Sequence, residues 1–256
     1  NNFLPLAFVV RGSANAGAKF LYDGGDRAIL EDIANGPPAS QDDLNSRVVG
    51  SGVALIEGGL MTARNITESL SVGGTLKFQN VQLLNYDEKV GNFDEQDVID
   101  SDDISDDDHI NLDLGATWRT GKLVVAGTLE NLIAEEFDTV DPDTGQTVTY
   151  EMDPVATAAV GYAGDWIKAE ASVDLTERNG FVQLPDAQYA RLGVELSAGR
   201  HLHLRAGYRT DLEDGYADIF TVGLGVTPFD RLNIDLAGAI GEGDTFGAAV
   251  QIGFKI

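Results

Sequence analysis

His109 stands directly after Asp106, Asp107 and Asp108, which puts an Asp-x-His pair in the chain. An imidazole oriented by a carboxylate is the working part of several hydrolytic sites, where it moves a proton at the reacting group. Asp141 and Asp143 would be the second acidic pair of such a site. The plainer reading is a hydrated acidic loop in which one histidine occurs, and no enzymatic role is expected. His201 and His203 share one strand face; without a third ligand nearby they read as hydrogen-bonding groups rather than a metal site. Eleven acidic residues and a single Lys89 fill Asp87 to Asp108. Oxygen-rich stretches suit Ca²⁺ or Mg²⁺, but DSDDISDDD lacks the turn glycine and ligand spacing of an EF-hand loop. DPDTG, with Asp141 and Asp143, is the better calcium candidate. The chain has no cysteine, which excludes disulfides, thiolate-held metals and thiol redox chemistry. No motif implies a cofactor.

The elements that must position these residues repeat with period two. Ile110, Leu112, Leu114, Ala116 and Trp118 alternate with Asn111, Asp113, Gly115, Thr117 and Arg119, giving one apolar and one polar face to a single strand. The same alternation runs through 167–175, 201–209 and 231–236. Read throughout, it predicts about twelve strands: 3–22, 44–64, 69–87, 109–119, 122–133, 148–162, 165–176, 187–198, 200–210, 216–228, 230–240 and 244–256. One short helix, Asp26 to Ala34, interrupts the first long connection. No run approaches the roughly 18 apolar residues of a membrane-spanning helix. All 256 residues therefore read as one all-β domain.

Three features point from alternation to a transmembrane antiparallel barrel of about 12 strands, 12–14 if further N-terminal chain belongs to it. Long connections (23–43, 88–108, 134–147, 177–186, 211–215) alternate with tight ones (65–68, 120–121, 163–164, 199, 229), as external loops and periplasmic turns do. Aromatic residues of the apolar face sit near strand ends: Trp118, Tyr162 and Phe254 at the short-turn end, Tyr22, Tyr150, Tyr208, Phe220 and Phe246 at the other. Two interfacial girdles are expected from them. The C-terminal strand, Phe246 to Ile256, resembles the signal read by the barrel-assembly machinery, with Ile in place of the usual terminal Phe. The expected surroundings are the bilayer and lipopolysaccharide of a Gram-negative outer membrane. The opening residues lack the basic segment and apolar core of an export signal, so the chain reads as mature, trimmed or missing an N-terminal stretch.

Face assignment also predicts a lumen. Its bases are Arg11, Lys19, Arg47, Lys77, Arg119, Lys122, Lys168, Arg191, Arg205, Arg209, Arg231 and Lys255; its acids are Glu57, Asp113, Glu130, Glu151, Asp153, Glu170, Asp174, Glu195 and Asp235. His201 and His203 line it too. Such a wall is close to neutral, so the excess behind the formal charge of -25 falls in the loops. Seventeen Lys and Arg with no concentrated basic surface exclude nucleic acid as a partner.

LNSR at 44–47 with GVALIEG at 52–58, NLDLGA at 111–116, Glu130-Asn131-Leu132, RAGYRTDL at 205–212, GLGVTPF at 223–229 and the closing GAAVQIGFKI resemble the TraF-like family of outer-membrane barrels labelled conjugal transfer proteins. More distantly the chain is similar to FadL-type channels. These resemblances imply a transport role without a substrate. The expectation is a passive diffusion channel for small molecules, because about twelve strands enclose more room than a side-chain-filled eight-stranded barrel. The alternative is a non-conducting structural barrel, associated with conjugation or secretion; an outer-membrane hydrolase is the remote one.

Overall fold

The computed structural model describes residues 5–36, 40–92, 104–140, 145, 147–182, 184–199, 201–229, 232–242 and 245–254, without the side chains of Gln41, Asn92, Phe229 and Phe254. Twelve strands form one antiparallel sheet. In sheet order they are β1 (Leu6–Leu21), β2 (Arg47–Asn65), β3 (Leu70–Lys89), β4 (Ile104–Thr120), β5 (Leu123–Glu130), β8 (Val155–Ala163), β9 (Ile167–Asp174), β10 (Tyr189–Ala198), β11 (Leu202–Asp211), β12 (Ile219–Phe229), β13 (Leu232–Gly241) and β14 (Phe246–Phe254). A separate hairpin, β6 (Glu135–Val140) and β7 (Thr147–Met152), lies between β5 and β8. β1 and β14 are the two edges of the large sheet, and no pairing closes them on each other among the described residues.

The short connections close as local chemistry requires. Thr67 Oγ1 accepts the Ser69 and Leu70 N–H groups between β2 and β3. Gly121 and Gly199 take φ of +58° and +69° in the turns after β4 and β10, a region in which a side chain is strained. Helix α1 (Asp26–Asn35) fills the predicted place between β1 and β2. Its first residue is fully buried, and the Asp26 carboxylate accepts N–H groups of Asn45 and Ser46 and the Ser46 hydroxyl.

Register shows that the strands are staggered. One row of cross-strand neighbours runs from Leu70 through Trp118, Val125, Val160, Ala171, Leu192, Tyr208, Phe220 and Ile240 to Phe246. Trp118 lies two positions from the short-turn end of β4, whereas Phe220 lies nine positions from that end of β12. A row perpendicular to the strands therefore crosses from one end of the sheet to the other, as it must when strands tilt.

Three expectations need correction. The predicted strand 148–162 is two strands of different sheets, because Asp153-Pro154 interrupts it and proline supplies no ladder N–H. The predicted strand 122–133 stops at Glu130; Asn131 follows with φ +52°, a turn conformation that asparagine tolerates. The strand predicted from His109 begins at Ile104, so Asp106, Asp107 and Asp108 belong to β4 and not to a loop.

Candidate functional site

The residues assigned to the lumen that lie in strands of the large sheet fall on one of its faces by register, but Glu151 lies on β7 of the separate hairpin, Lys122 and Asp153 stand outside the strands, and Arg231 and Lys255 lie outside the described residues. Arg11, Glu57, Gln79 and His109 are successive partners across β1 to β4. Lys168, Glu195 and Arg205 are partners across β9 to β11. Arg191 and Arg209 are directly opposed.

The charges on this face pair across strands. Arg11 meets Glu57 at 3.3 Å, Lys77 meets Asp113 at 2.7 Å, and Arg47 meets Asp87 at 2.5 Å. A ladder runs from Lys168 to Glu195 at 2.8 Å, on to Arg205 at 2.7 Å, and then to Asp235. His203 joins it through Ser197 at 2.9 Å, while His201 Nδ1 lies 2.8 Å from the Thr227 carbonyl oxygen. Asp174, buried, receives a two-pronged bond from Arg191 at 2.8 and 2.9 Å and a third from Arg178 Nε at 2.8 Å; Arg178 also reaches Glu130 at 3.2 Å. Lys19, Arg119 and Glu170 are exposed on the same face.

This polar face is the more buried one. Lys77 is 7% exposed and its neighbour Phe78 55%; Asn111 is 0% exposed and its neighbour Ile110 51%. The opposite face carries an apolar band from Leu70 to Phe78 on β3 and from Ile110 to Trp118 on β4, nine residues each. Beyond the band the same face turns polar: Asn80 Nδ2 donates to Asp106 and Asp108 at 2.9 and 3.1 Å, and Gln82 Nε2 donates to Asp106 at 3.2 Å. Tyr22, Trp118, Tyr162, Tyr208, Phe220 and Phe246 are all exposed. Trp166, in the turn between β8 and β9, is exposed too and was not singled out from the sequence, because it precedes the alternation of 167–175. The Tyr208 hydroxyl bonds Asp218 just past the strands; that bond and one from Thr210 hold the Asp218 carboxyl below its ordinary pKa.

Tyr150 does not belong with those aromatics. It lies on β7, meets Phe181 edge to face at a ring separation of 5.2 Å, and flanks an apolar cluster of Val81, Leu83, Phe137, Met152 and Phe181. Val81 and Leu83 project from β3 on the polar face, so the β6–β7 hairpin is folded onto that face. Segment 180–182 extends it: Glu151 N–H donates to the Gly180 carbonyl at 2.8 Å and Val182 N–H to the Thr149 carbonyl at 3.0 Å. Burying side chains such as Leu83 and Phe137 contributes roughly 1.5–3 kcal/mol each, enough to dock a hairpin that would be marginal alone.

Polar clamps turn the chain onto the polar face at Asn131. Asp113 accepts the Asn131 N–H at 2.9 Å, and Lys77 donates to the Asn131 side chain at 2.6 Å. Asn111 accepts the Ile133 N–H at 3.1 Å and donates to the Ile133 carbonyl at 3.2 Å, imitating a strand partner. His109 follows it, with Nε2 3.3 Å from the same carbonyl and its ring edge-on to Phe137. The histidine is thus a support of the hairpin, held 3.8 Å from Glu135. Asn111 was read only as one of the polar-face residues and Arg178 was missed; its place in the long connection 177–186 could have marked it. Asp141, Asp143 and the acidic residues of 93–103 lie outside the described residues, and no cluster of three metal-ligating side chains occurs among those described. The side chain of Phe254 lies outside the description as well.

Among solved structures, the chain is similar to a Salmonella typhi OmpF in complex with daunomycin, at 9% identity over 96% of this chain and 97% of that one, TM-score 0.39. It is similar also to a mutant of the Rh. blastica porin, at 10% identity over 97% and 99%, TM-score 0.35. Likenesses this distant carry no argument. No curated protein matches the sequence. Residues 1–174 match the family described as "F plasmid transfer operon, TraF, protein", and over two thirds of its length the chain thereby belongs to that TraF family.

Proposed function

We propose that the protein is an outer-membrane β-barrel that lets small solutes diffuse through an interior narrowed by the β6–β7 hairpin. One observation carries this: buried polar groups and exposed apolar ones share the same strands. Water-soluble monomers rarely leave apolar faces of this extent without a partner. The arrangement follows directly if lipid covers the apolar face and a hydrated interior lies on the other. Nine residues advance about 27–30 Å along a strand and match the nine to eleven that a tilted strand needs to cross hydrocarbon. The exposed aromatics then form the interfacial girdles, and β14 is the strand offered to the assembly machinery.

The test is circular dichroism and heat-shifted gel mobility of the purified chain in detergent, followed by single-channel recording in a bilayer. A β spectrum, a mobility shift on boiling and discrete conductance steps are expected. A helical spectrum, or a stable monomer without detergent, would sink the barrel. Epitope tags after Asn92 and after Gly121 should label from opposite sides of the membrane. The docked hairpin and the paired charges also favour a second reading, a filled barrel serving as a scaffold, and heat-shifted mobility without any conductance would select it. Neither reading assigns an enzymatic step to His109.

A further inference from the structure

Arg209 differs from the paired cations around it. Arg191 and Arg178 hold Asp174, and Arg205 holds Glu195 and Asp235. Arg209 has no carboxylate within salt-bridge distance among the described residues, and its buried Nε has no hydrogen-bond acceptor. Among the described residues it is the one charged group of three buried side-chain donors or acceptors so placed. The nearest candidate acceptor on its strand is committed elsewhere, since the Asp211 carboxylate takes the N–H groups of Gln188, Gly215 and Tyr216 at 2.9 to 3.0 Å. Arg209 also stands directly opposite Arg191, and like charges in that position repel. What fixes it is Tyr189, whose ring centre lies 4.3 Å from the Arg209 guanidinium carbon and 5.1 Å from that of Arg191. The ring face attracts both cations and holds the free guanidinium in one orientation, while the side chain as a whole stays partly exposed on the polar face.

We propose that Arg209, oriented by Tyr189 and flanked by Arg191, binds the carboxylate of a small organic solute on the inner wall. A guanidinium with no acceptor offers a planar fork that matches a carboxylate in two parallel hydrogen bonds. One unpaired cation balances one negative charge; a doubly charged phosphate would leave an excess in a site whose other arginines are already matched. The site rests on the reading of the polar face as an interior that solutes reach.

Isothermal titration of the full chain in detergent micelles with benzoate tests it, with benzamide as the neutral match and inorganic phosphate as the dianion. Saturable benzoate binding is expected, about tenfold or more weaker in Arg209→Gln, unchanged in Arg27→Gln on the helix surface, and absent with benzamide. No saturable benzoate binding, equal binding by Arg209→Gln, or tighter binding of phosphate would overturn the assignment. Heat-shifted mobility shows whether each variant is folded; if Arg209→Gln is not, Arg209→Lys decides, with a several-fold loss expected and no loss overturning the site. Binding in micelles does not require conduction. A chain that conducts but ignores benzoate loses the site and keeps the channel, and one that binds but passes no current keeps the site and loses the channel.

Discussion

Asp174 shows how much a single buried carboxylate can organise. It accepts from Arg191, Arg178, Thr157 and the Tyr189 backbone, and so ties β8, β9, β10 and the connection that carries Arg178 at one point. Removing one partner of a buried ionic network leaves the others desolvated and unmatched, at a cost of roughly 3–5 kcal/mol. Asp174→Ala should lower unfolding stability by about that amount in a urea titration in detergent, whereas Arg27→Ala, which breaks only the exposed pair with Glu31, should change it by less than about 0.5 kcal/mol. Asp26 gives a pH-dependent counterpart. Burial works to raise its pKa, but hydrogen bonds from Ser46 and Asn45 outweigh burial and leave the carboxyl below its ordinary value. A lowered folded-state pKa stabilises above the unfolded value, near pH 4, and that contribution disappears as pH falls through the folded one. The connection between β1 and β2 should therefore gain backbone hydrogen exchange in the parent only when pH falls below the ordinary carboxylate value and through the lowered folded one. In Asp26→Asn it should do so already at pH 7; equal protection in the two at pH 7 would refute the anchor.

At the scale of elements, the hairpin is where sequence reading and structure part. The twelve strands of the large sheet were legible because each must keep one face apolar and the other polar, a constraint written directly into alternation. The faces of Lys168, Glu195 and Arg205 followed from parity alone. Lys168 and Glu195 are register partners across β9 and β10, and the two meet at 2.8 Å. The hairpin obeys a different rule: its apolar side, Phe137 and Met152, packs on the polar side of β3, so counting faces from the neighbouring strands misplaced Tyr150. Nothing in EEFDTV or TVTYEM says which wall it meets. Docking through Phe137 makes a clear expectation. Phe137→Asp puts a charge into the cluster with Val81 and Leu83, and an unpaired buried charge drives the hairpin off its seat. Single-channel conductance should rise, and the segment between Glu135 and Met152 should become sensitive to protease while the heat-shifted mobility is kept. An unchanged conductance in a folded variant would mean that the hairpin does not narrow the path.

For the whole molecule the decisive question is what covers the exposed apolar face, and two positions on one strand answer it. Leu114 and Asp108 both lie on β4 and project from the same face. Leu114 sits at the middle of the Ile110–Trp118 band and is 44% exposed, while Asp108 lies beyond the band among the amides of β3. If water covered that face, Leu114→Arg would be an ordinary surface change, within about 0.5 kcal/mol. If lipid covers it, an arginine at mid-depth costs about 2–4 kcal/mol, and a charge near the interface costs about 0–1. Leu114→Arg should therefore destabilise the protein in phospholipid vesicles by at least 2 kcal/mol in a reversible denaturant titration, and Asp108→Arg by no more than about 1. Strand, face and the introduced arginine are the same in the two variants, so the difference between them reports chiefly depth. Equal, small effects would place the face in water and take the membrane reading with them.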